Sequence, residues 1–122
     1  WLGDRHPDTL ISINNMAMLL EAMGKPDEAR PLYEEALQAS RETLGDRHPS
    51  TLTSIYNLAD LLEKQGKIAE AIPLFTEVLE ARVSLHGMAH EKTRGSARRL
   101  VKLLRNADQQ DEADALAARY GV

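Results

Sequence analysis

Between Ile55 and Leu62 the apolar residues fall at Ile55, Leu58, Ala59, Leu61 and Leu62, spaced as one stripe of a helix with 3.6 residues per turn. A second stripe follows at Ala71, Leu74, Phe75, Val78 and Leu79. Gly66 separates the two, and glycine tolerates the left-handed backbone on which helices commonly end. Gly87 closes the second stripe as Gly45 closes its counterpart earlier in the chain. The same punctuation throughout predicts helices over 7–23, 27–43, 49–65, 68–85, 91–106 and 110–119. Pro7 and Pro49 fall where two of these helices begin, a place where the missing N–H costs little. Pro31 and Pro73 are expected near the first turn of two others for the same reason. In the first helix, Ile13, Ala17 and Leu20 form the stripe expected to be buried.

The pattern repeats. LGDRHP occurs at Leu2–Pro7 and again at Leu44–Pro49, a shift of 42 residues. At that shift Thr9, Leu10, Asn15, Ala17, Leu19, Leu20, Gly24, Glu28, Ala29, Pro31, Leu32 and Leu37 meet identical residues. A weaker third copy keeps Gly87, His90, Thr93, Leu100, Leu103, Leu104, Glu112, Ala113 and Leu116. Self-similarity at a fixed period of this size means stacked supersecondary units, here pairs of helices. The expected repeats are 2–43, 44–85 and 86–122, within a single domain spanning 1–122. The last is divergent or truncated: Gly66 becomes Asp108, Pro73 becomes Asp114 and Phe75 becomes Ala117. Trp1 and Leu2 match the last turn of a preceding helix, so an upstream repeat is expected to have been removed.

Composition narrows the function. The 122 residues are 43% hydrophobic and 28% charged, ordinary for a globular chain. There is no cysteine, hence no disulfide framework and no thiolate metal site. That fits a reducing compartment, and the expected location is the cytoplasm. A net charge of −4 with five aromatic residues argues against nucleic acid as the partner. No apolar run approaches the roughly 18 residues of a membrane span. His6, His48 and His90 recur one per repeat, too far apart to share one metal ion, and are read as structural loop residues. Asp4 and Asp46 are expected to accept backbone N–H groups in the loop or to cap the following helix. Arg5 and Arg47 are expected to reach carbonyls of the helix before, or acids of a neighbouring repeat. No phosphate-binding, zinc-protease or nucleophile-elbow motif occurs, so neither catalysis nor any cofactor or metal is expected.

The stretch N-L-A-x-L-L-x-x-x-G-K-x-x-E-A-x-P-L-F at Asn57–Phe75 resembles a tetratricopeptide repeat (TPR). Gly66, Ala71 and Phe75 stand in that family's signature places, and Ala59 stands where glycine is frequent. The 42-residue period, with LGxxHP and EAxPLY/F, is similar to the TPRs of kinesin light chain and its relatives. The resemblance implies an all-α, right-handed solenoid of about three antiparallel helix pairs, with a groove lined by the first helix of each pair. It also implies a protein or peptide partner.

By that analogy the groove positions are Ile11, Asn14, Asn15, Met18, Glu21 and Ala22 in the first repeat. In the second they are Thr53, Tyr56, Asn57, Asp60, Glu63 and Lys64, and in the third Gly95, Arg98, Arg99, Lys102, Arg105 and Asn106. The candidate peptide contacts are Asn14, Asn15, Met18, Thr53, Tyr56, Asn57, Asp60, Arg98, Arg99, Lys102 and Arg105. Asn15 and Asn57 read either as amides pairing with a peptide backbone or as inter-repeat hydrogen bonds. Arg98, Lys102 and Arg105, at i, i+4, i+7, read either as a site for an acidic peptide or as a solvated face. Only Asn57 and Arg99 match the five-residue clamp with which some TPRs hold a terminal carboxylate, so that specificity is rejected. The rival to peptide binding is a structural spacer or an end-to-end self-association module, within a larger adaptor or a STAND-type signalling protein.

Overall fold

The computed structural model describes residues 7–122. Within them the chain forms six α-helices and no strand: α1 (Pro7–Ala22), α2 (Pro26–Leu44), α3 (Pro49–Lys64), α4 (Ile68–His86), α5 (Glu91–Asn106) and α6 (Gln110–Tyr120). Each end lies within a residue of its expected place, because the sequence marks both ends chemically. Glycines with positive φ follow α1 to α4, Gly66 at φ 80° among them. In the third repeat Asp108 replaces that glycine and still adopts φ 61°, a left-handed conformation that costs a residue with a Cβ about 1 kcal/mol. The packing of α5 and α6 holds it there.

The helix starts correct two expectations. Pro31 and Pro73 are the sixth residues of α2 and α4, in the second turn rather than the first. Lys25 and Lys67 are the N-caps, so the first four positions of each helix, which need no intrahelical acceptor, are passed before the proline is reached. Each proline therefore deprives a carbonyl, of Asp27 or of Ala69, of its i+4 donor. Both of those residues are exposed, and water can take the bond. The second correction concerns the LGDRHP loop. Asp46 is not the N-cap of α3; it accepts a bond from Arg41 Nη1 at 3.0 Å. The cap is His48, extended at φ −66°, ψ 139°, whose Nδ1 accepts the Ser50 N–H at 3.1 Å. His90 does the same for α5 with the Lys92 N–H, also at 3.1 Å. Asp46 stands two residues too early to reach these donors. Asp4, Arg5 and His6 lie outside the described residues, as do Trp1 and Leu2.

The helices divide into two compact units, one holding α1, α2 and α3, the other running from Gly66 to Val122 with α4, α5 and α6. In the first, α2 packs on α1 and on α3. Ala17, Ala29 and Ala36 are fully buried, small enough to bring helix axes close, and Tyr33, Leu37, Ile55 and Leu61 fill the spaces between. Ile13 and Leu20 of the expected α1 stripe are half-buried beside the buried Ala17. In the second unit, α5 packs on α4 and on α6 around Phe75, Val78, Leu79, Leu100 and Leu103. Each buried leucine of this kind contributes about 1.5–3 kcal/mol.

One hydrogen bond recurs in both units. Thr51 Oγ1 donates to the Ser40 carbonyl at 3.3 Å, and Thr93 Oγ1 to the Arg82 carbonyl at 3.2 Å. Each hook ties the first turn of a helix to the late turns of the helix before it. Among the described residues no helix is long and apolar enough to cross a membrane.

Two substitutions test these caps by chemical denaturation. His48→Ala should cost about 1 kcal/mol, and His48→Asn should recover most of it, since an amide oxygen can accept the same N–H. Asp108→Gly should raise stability by about 1 kcal/mol by removing the left-handed penalty.

Candidate functional site

The first unit carries an open cavity of about 610 Å³, walled by α1, by the α1–α2 turn and α2, and by α3. Its shape follows from helical spacing. Asn57, Asp60 and Lys64 lie at i, i+3, i+7 on α3, and Met18, Glu21 and Ala22 lie on one side of α1. Leu61 and Tyr33 complete the apolar part of the wall.

A charged network crosses the cavity. Lys64 Nζ lies 2.8 Å from Glu21 Oε2 and 3.0 Å from Asp60 Oδ2, so one ammonium bridges two carboxylates on different helices. The Tyr33 hydroxyl, on a side chain only 2% exposed, donates to Glu21 Oε1 at 3.0 Å. The members of this network perturb one another. Hydrogen bonds to Glu21 and then Asp60 push the Lys64 ammonium up to about 12. Burial, and then the bond to Glu21, hold the Tyr33 phenol above its ordinary value.

Beside this network Asn14 Nδ2 donates to Ser54 Oγ at 3.3 Å, joining α1 to α3, and its buried Oδ1 has no partner among the described residues. Gln65 Nε2 donates to Asp27 Oδ1 at 3.0 Å, and its Oε1 is likewise buried and unpartnered.

Of the candidates in this unit, Met18, Asn57 and Asp60 meet at the cavity. Asn14 spends its amide on the α1–α3 bond, the inter-repeat role that had been one reading of Asn15 and Asn57. Asn15 is exposed, Asn57 and Tyr56 are half-buried, and Thr53 is exposed with its hydroxyl on the Pro49 carbonyl at 3.1 Å. The contributions of Tyr33 and Gln65 were not among the sequence candidates. The one signal for Tyr33 was its hydroxyl, absent from Phe75 at the aligned position.

In the second unit Arg98, Lys102 and Arg105 line a smaller hollow of about 280 Å³ together with Val101, Asn106 and Val122. Arg98 meets Glu91 at 3.5 Å, and Arg105 meets Asp114 at 2.9 Å. Lys102 is exposed, with no carboxylate against it among the described residues. Arg99 does not join that hollow; it is half-buried, its guanidinium 5.0 Å above the Phe75 ring. Among the described residues no group of three or more His, Asp or Glu could hold a metal ion.

Family models described as tetratricopeptide repeat match residues 8–84 and residues 54–116. Among solved structures, the chain is similar to a candidate kinesin light chain of Podosopora anserina with nearly identical TPR-like repeats. That match has 28% identity and a TM-score of 0.90, over 98% of this chain and 56% of that one. BtubC (BKLC) of P. vanneervenii matches at 24% identity and a TM-score of 0.80, over 92% of this chain and 44% of that one. The TPR domain of Arabidopsis FLU shares the fold at 19% identity and a TM-score of 0.73, over 91% of this chain and 90% of that one. The chain thus spans little more than half the length of the Podosopora protein. No curated protein matches it.

The Tyr33–Glu21–Lys64 network makes stability sensitive to alkali. Both Tyr33 and Lys64 hold their protons more tightly folded than unfolded. Their contribution is fully present below the unfolded values of 10.0 and 10.5 and is lost as pH rises through the folded ones. Because Lys64 is more than half exposed, most of the effect belongs to Tyr33. The melting temperature should fall as pH rises above 10, and Tyr33→Phe should flatten that fall; parallel curves for the two proteins would remove the phenol from the account.

Proposed function

Because the chain belongs to the tetratricopeptide-repeat family, an all-α repeat solenoid here of the kinesin light chain-like type, we propose that it is a scaffold that holds a partner protein by an extended segment. TPR folds generally mediate protein–protein interaction, and the finer reading places the partner on the faces of the first helices, α1, α3 and α5. Its work is binding rather than catalysis. The observation that carries the reading is the convergence of Met18, Asn57 and Asp60 on one cavity of about 610 Å³. Concavities of that size, mostly apolar with a few polar groups, are where ligand side chains lodge. Asn57 makes no side-chain hydrogen bond among the described residues, so its amide is free to donate to and accept from a peptide backbone.

The second-unit hollow supports a preference for acidic residues. Arg98 and Lys102 stand on one exposed stripe of α5, with the apolar Val101 and Val122 beneath them. Carboxylates gain charge-assisted hydrogen bonds from such a stripe. The partner on this reading is a protein, not nucleic acid or a membrane.

Selection from a random peptide library against the chain should enrich sequences rich in Asp and Glu. Arg98→Glu with Lys102→Glu should weaken the selected peptides about tenfold or more, as should Asn57→Ala with Met18→Ala. Arg99 is left intact because its packing on Phe75 serves the fold. Unchanged affinity in the first variant would end the acidic preference, and unchanged affinity in both would end the reading of these faces as the binding surface.

A further inference from the structure

The third repeat departs from the other two at three positions that meet in space. At the 42-residue shift Arg94 aligns with Leu10 and Leu52, Arg119 with Glu35 and Glu77, and Tyr120 with Ala36 and Val78. Leu10 and Leu52 are core residues, 4% and 5% exposed, and Ala36 and Val78 are buried with them. In the third copy a guanidinium stands in that core position and remains half-buried. A cation replaces an acid, and a phenol replaces a small apolar side chain. Places where a chain breaks the pattern of its own fold are where function is to be sought.

All three side chains line one hollow of about 280 Å³, with Met88 and Ala89 of the α4–α5 turn on its other side. Helix α6 packs on α5 so that the first turn of α5 meets the end of α6. Gly121, at φ 67°, ends α6 there in the left-handed conformation, and the Val122 N–H bonds the Ala117 carbonyl at 3.0 Å. Arg94 Nη2 donates to the Gly121 carbonyl at 3.1 Å, which caps the helix with one nitrogen. The rest of that guanidinium and the Tyr120 hydroxyl have no partner among the described residues. The Arg119 guanidinium lies 5.7 Å from the centre of the Tyr120 ring and has no acid against it among the described residues. No described carboxylate lines the hollow. Completing the C-terminal end of α6 takes one cation. The second guanidinium and the phenol are surplus to that task, and beside them Met88 and Ala89 are exposed.

We propose that this hollow binds a phosphate monoester carried on an apolar stem, with the phosphate on Arg94, Arg119 and Tyr120 and the stem on Met88 and Ala89. Such an ester carries about −1.5 to −2 charge at pH 7 and three strong acceptor oxygens. It answers two cations and a phenol, whereas one carboxylate would leave a guanidinium unanswered. Guanidinium N–H groups meet phosphate oxygens in pairs, which adds geometry to charge. A water molecule occupies about 30 Å³, so the hollow has room for the stem as well as the phosphate. Methionine packs against stems of varied shape. The site shares no lining residue with the hollow of Arg98, Lys102 and Arg105, and it does not depend on the acidic preference proposed there.

Titration of the chain with phenyl phosphate, followed by NMR at the Met88 methyl and the Tyr120 ring, tests the site. Both signals should shift together and saturate, at a concentration about fivefold or more below that needed for inorganic phosphate or for benzoate. Arg94→Leu and Arg119→Glu put back the residues of the aligned copies, and melting curves check that both variants fold. Each should weaken binding about tenfold. In the unaltered chain binding should weaken as pH falls through about 6, where the ester takes up its second proton. A short phosphotyrosine peptide that outbinds phenyl phosphate at these residues places the ester on a partner protein, and equal binding assigns a small ester; either result supports the site. Benzoate or inorganic phosphate as tight as phenyl phosphate overturns the proposal, as do shifts at Val101 and Lys102 with none at Met88 and Tyr120. Binding unaltered by both substitutions overturns it too and leaves the arginines as supports of the α6 end alone.

Discussion

The rest of the structure depends on a threonine hydroxyl reaching back to a main-chain carbonyl. Thr51 to Ser40, and Thr93 to Arg82, fix where along the preceding helix each new helix starts. A helix placed one residue further along would turn its stripe through roughly 100° and send a different set of side chains inward. The loop before each threonine serves that placement. Gly45, at φ 91°, ends α2, Arg41 holds Asp46, and His48 caps α3 three residues ahead of Thr51. With α3 so set, Leu58 and Leu61 are buried, and Asn57, Asp60 and Lys64 come round toward α1. The bridge from Lys64 to Glu21 is thus a consequence of packing several turns away.

This explains what the sequence made legible and what it did not. Helix ends were readable because glycine and proline act locally through φ and the missing N–H. The histidine caps were not, because an imidazole Nδ1 is an uncommon cap and Asp46, two residues away, carries the usual chemistry. Pro31 misled for a related reason: Pro26 already occupied the helix start. Met18, Asn57 and Asp60 were legible as residues sharing helix faces, since spacing alone decides that. Their meeting with Tyr33 required the crossing of three helices, and periodicity within one helix carries no information on that. Arg99 belongs to the same lesson. It looked equivalent to Arg98 along α5, and only the position of Phe75 on α4 distinguishes the stacked guanidinium from the open one.

The aligned copies also separate what the repeat holds fixed from what it varies. Ala29, Ala71 and Ala113 are each fully buried, and Ala17 and Ala59 likewise. Where packing dictates the residue, the chain repeats itself. Two positions that face the cavity do not repeat: Met18, Asp60 and Lys102 align, as do Ala22, Lys64 and Asn106. One backbone position is in turn apolar, acidic and basic. The first unit sets Glu21 and Asp60 about Lys64 at its cavity, whereas α5 presents Arg98, Lys102 and Arg105 at its own hollow. Long-range steering of a partner responds to such local fields more than to the net charge of −4. On the proposed reading, a partner held by these surfaces would be read by the charge of each stretch in turn. The threonine hook is common to the second and third copies, so on that reading specificity would be free to change by substitution on the open faces without disturbing the hooks beneath.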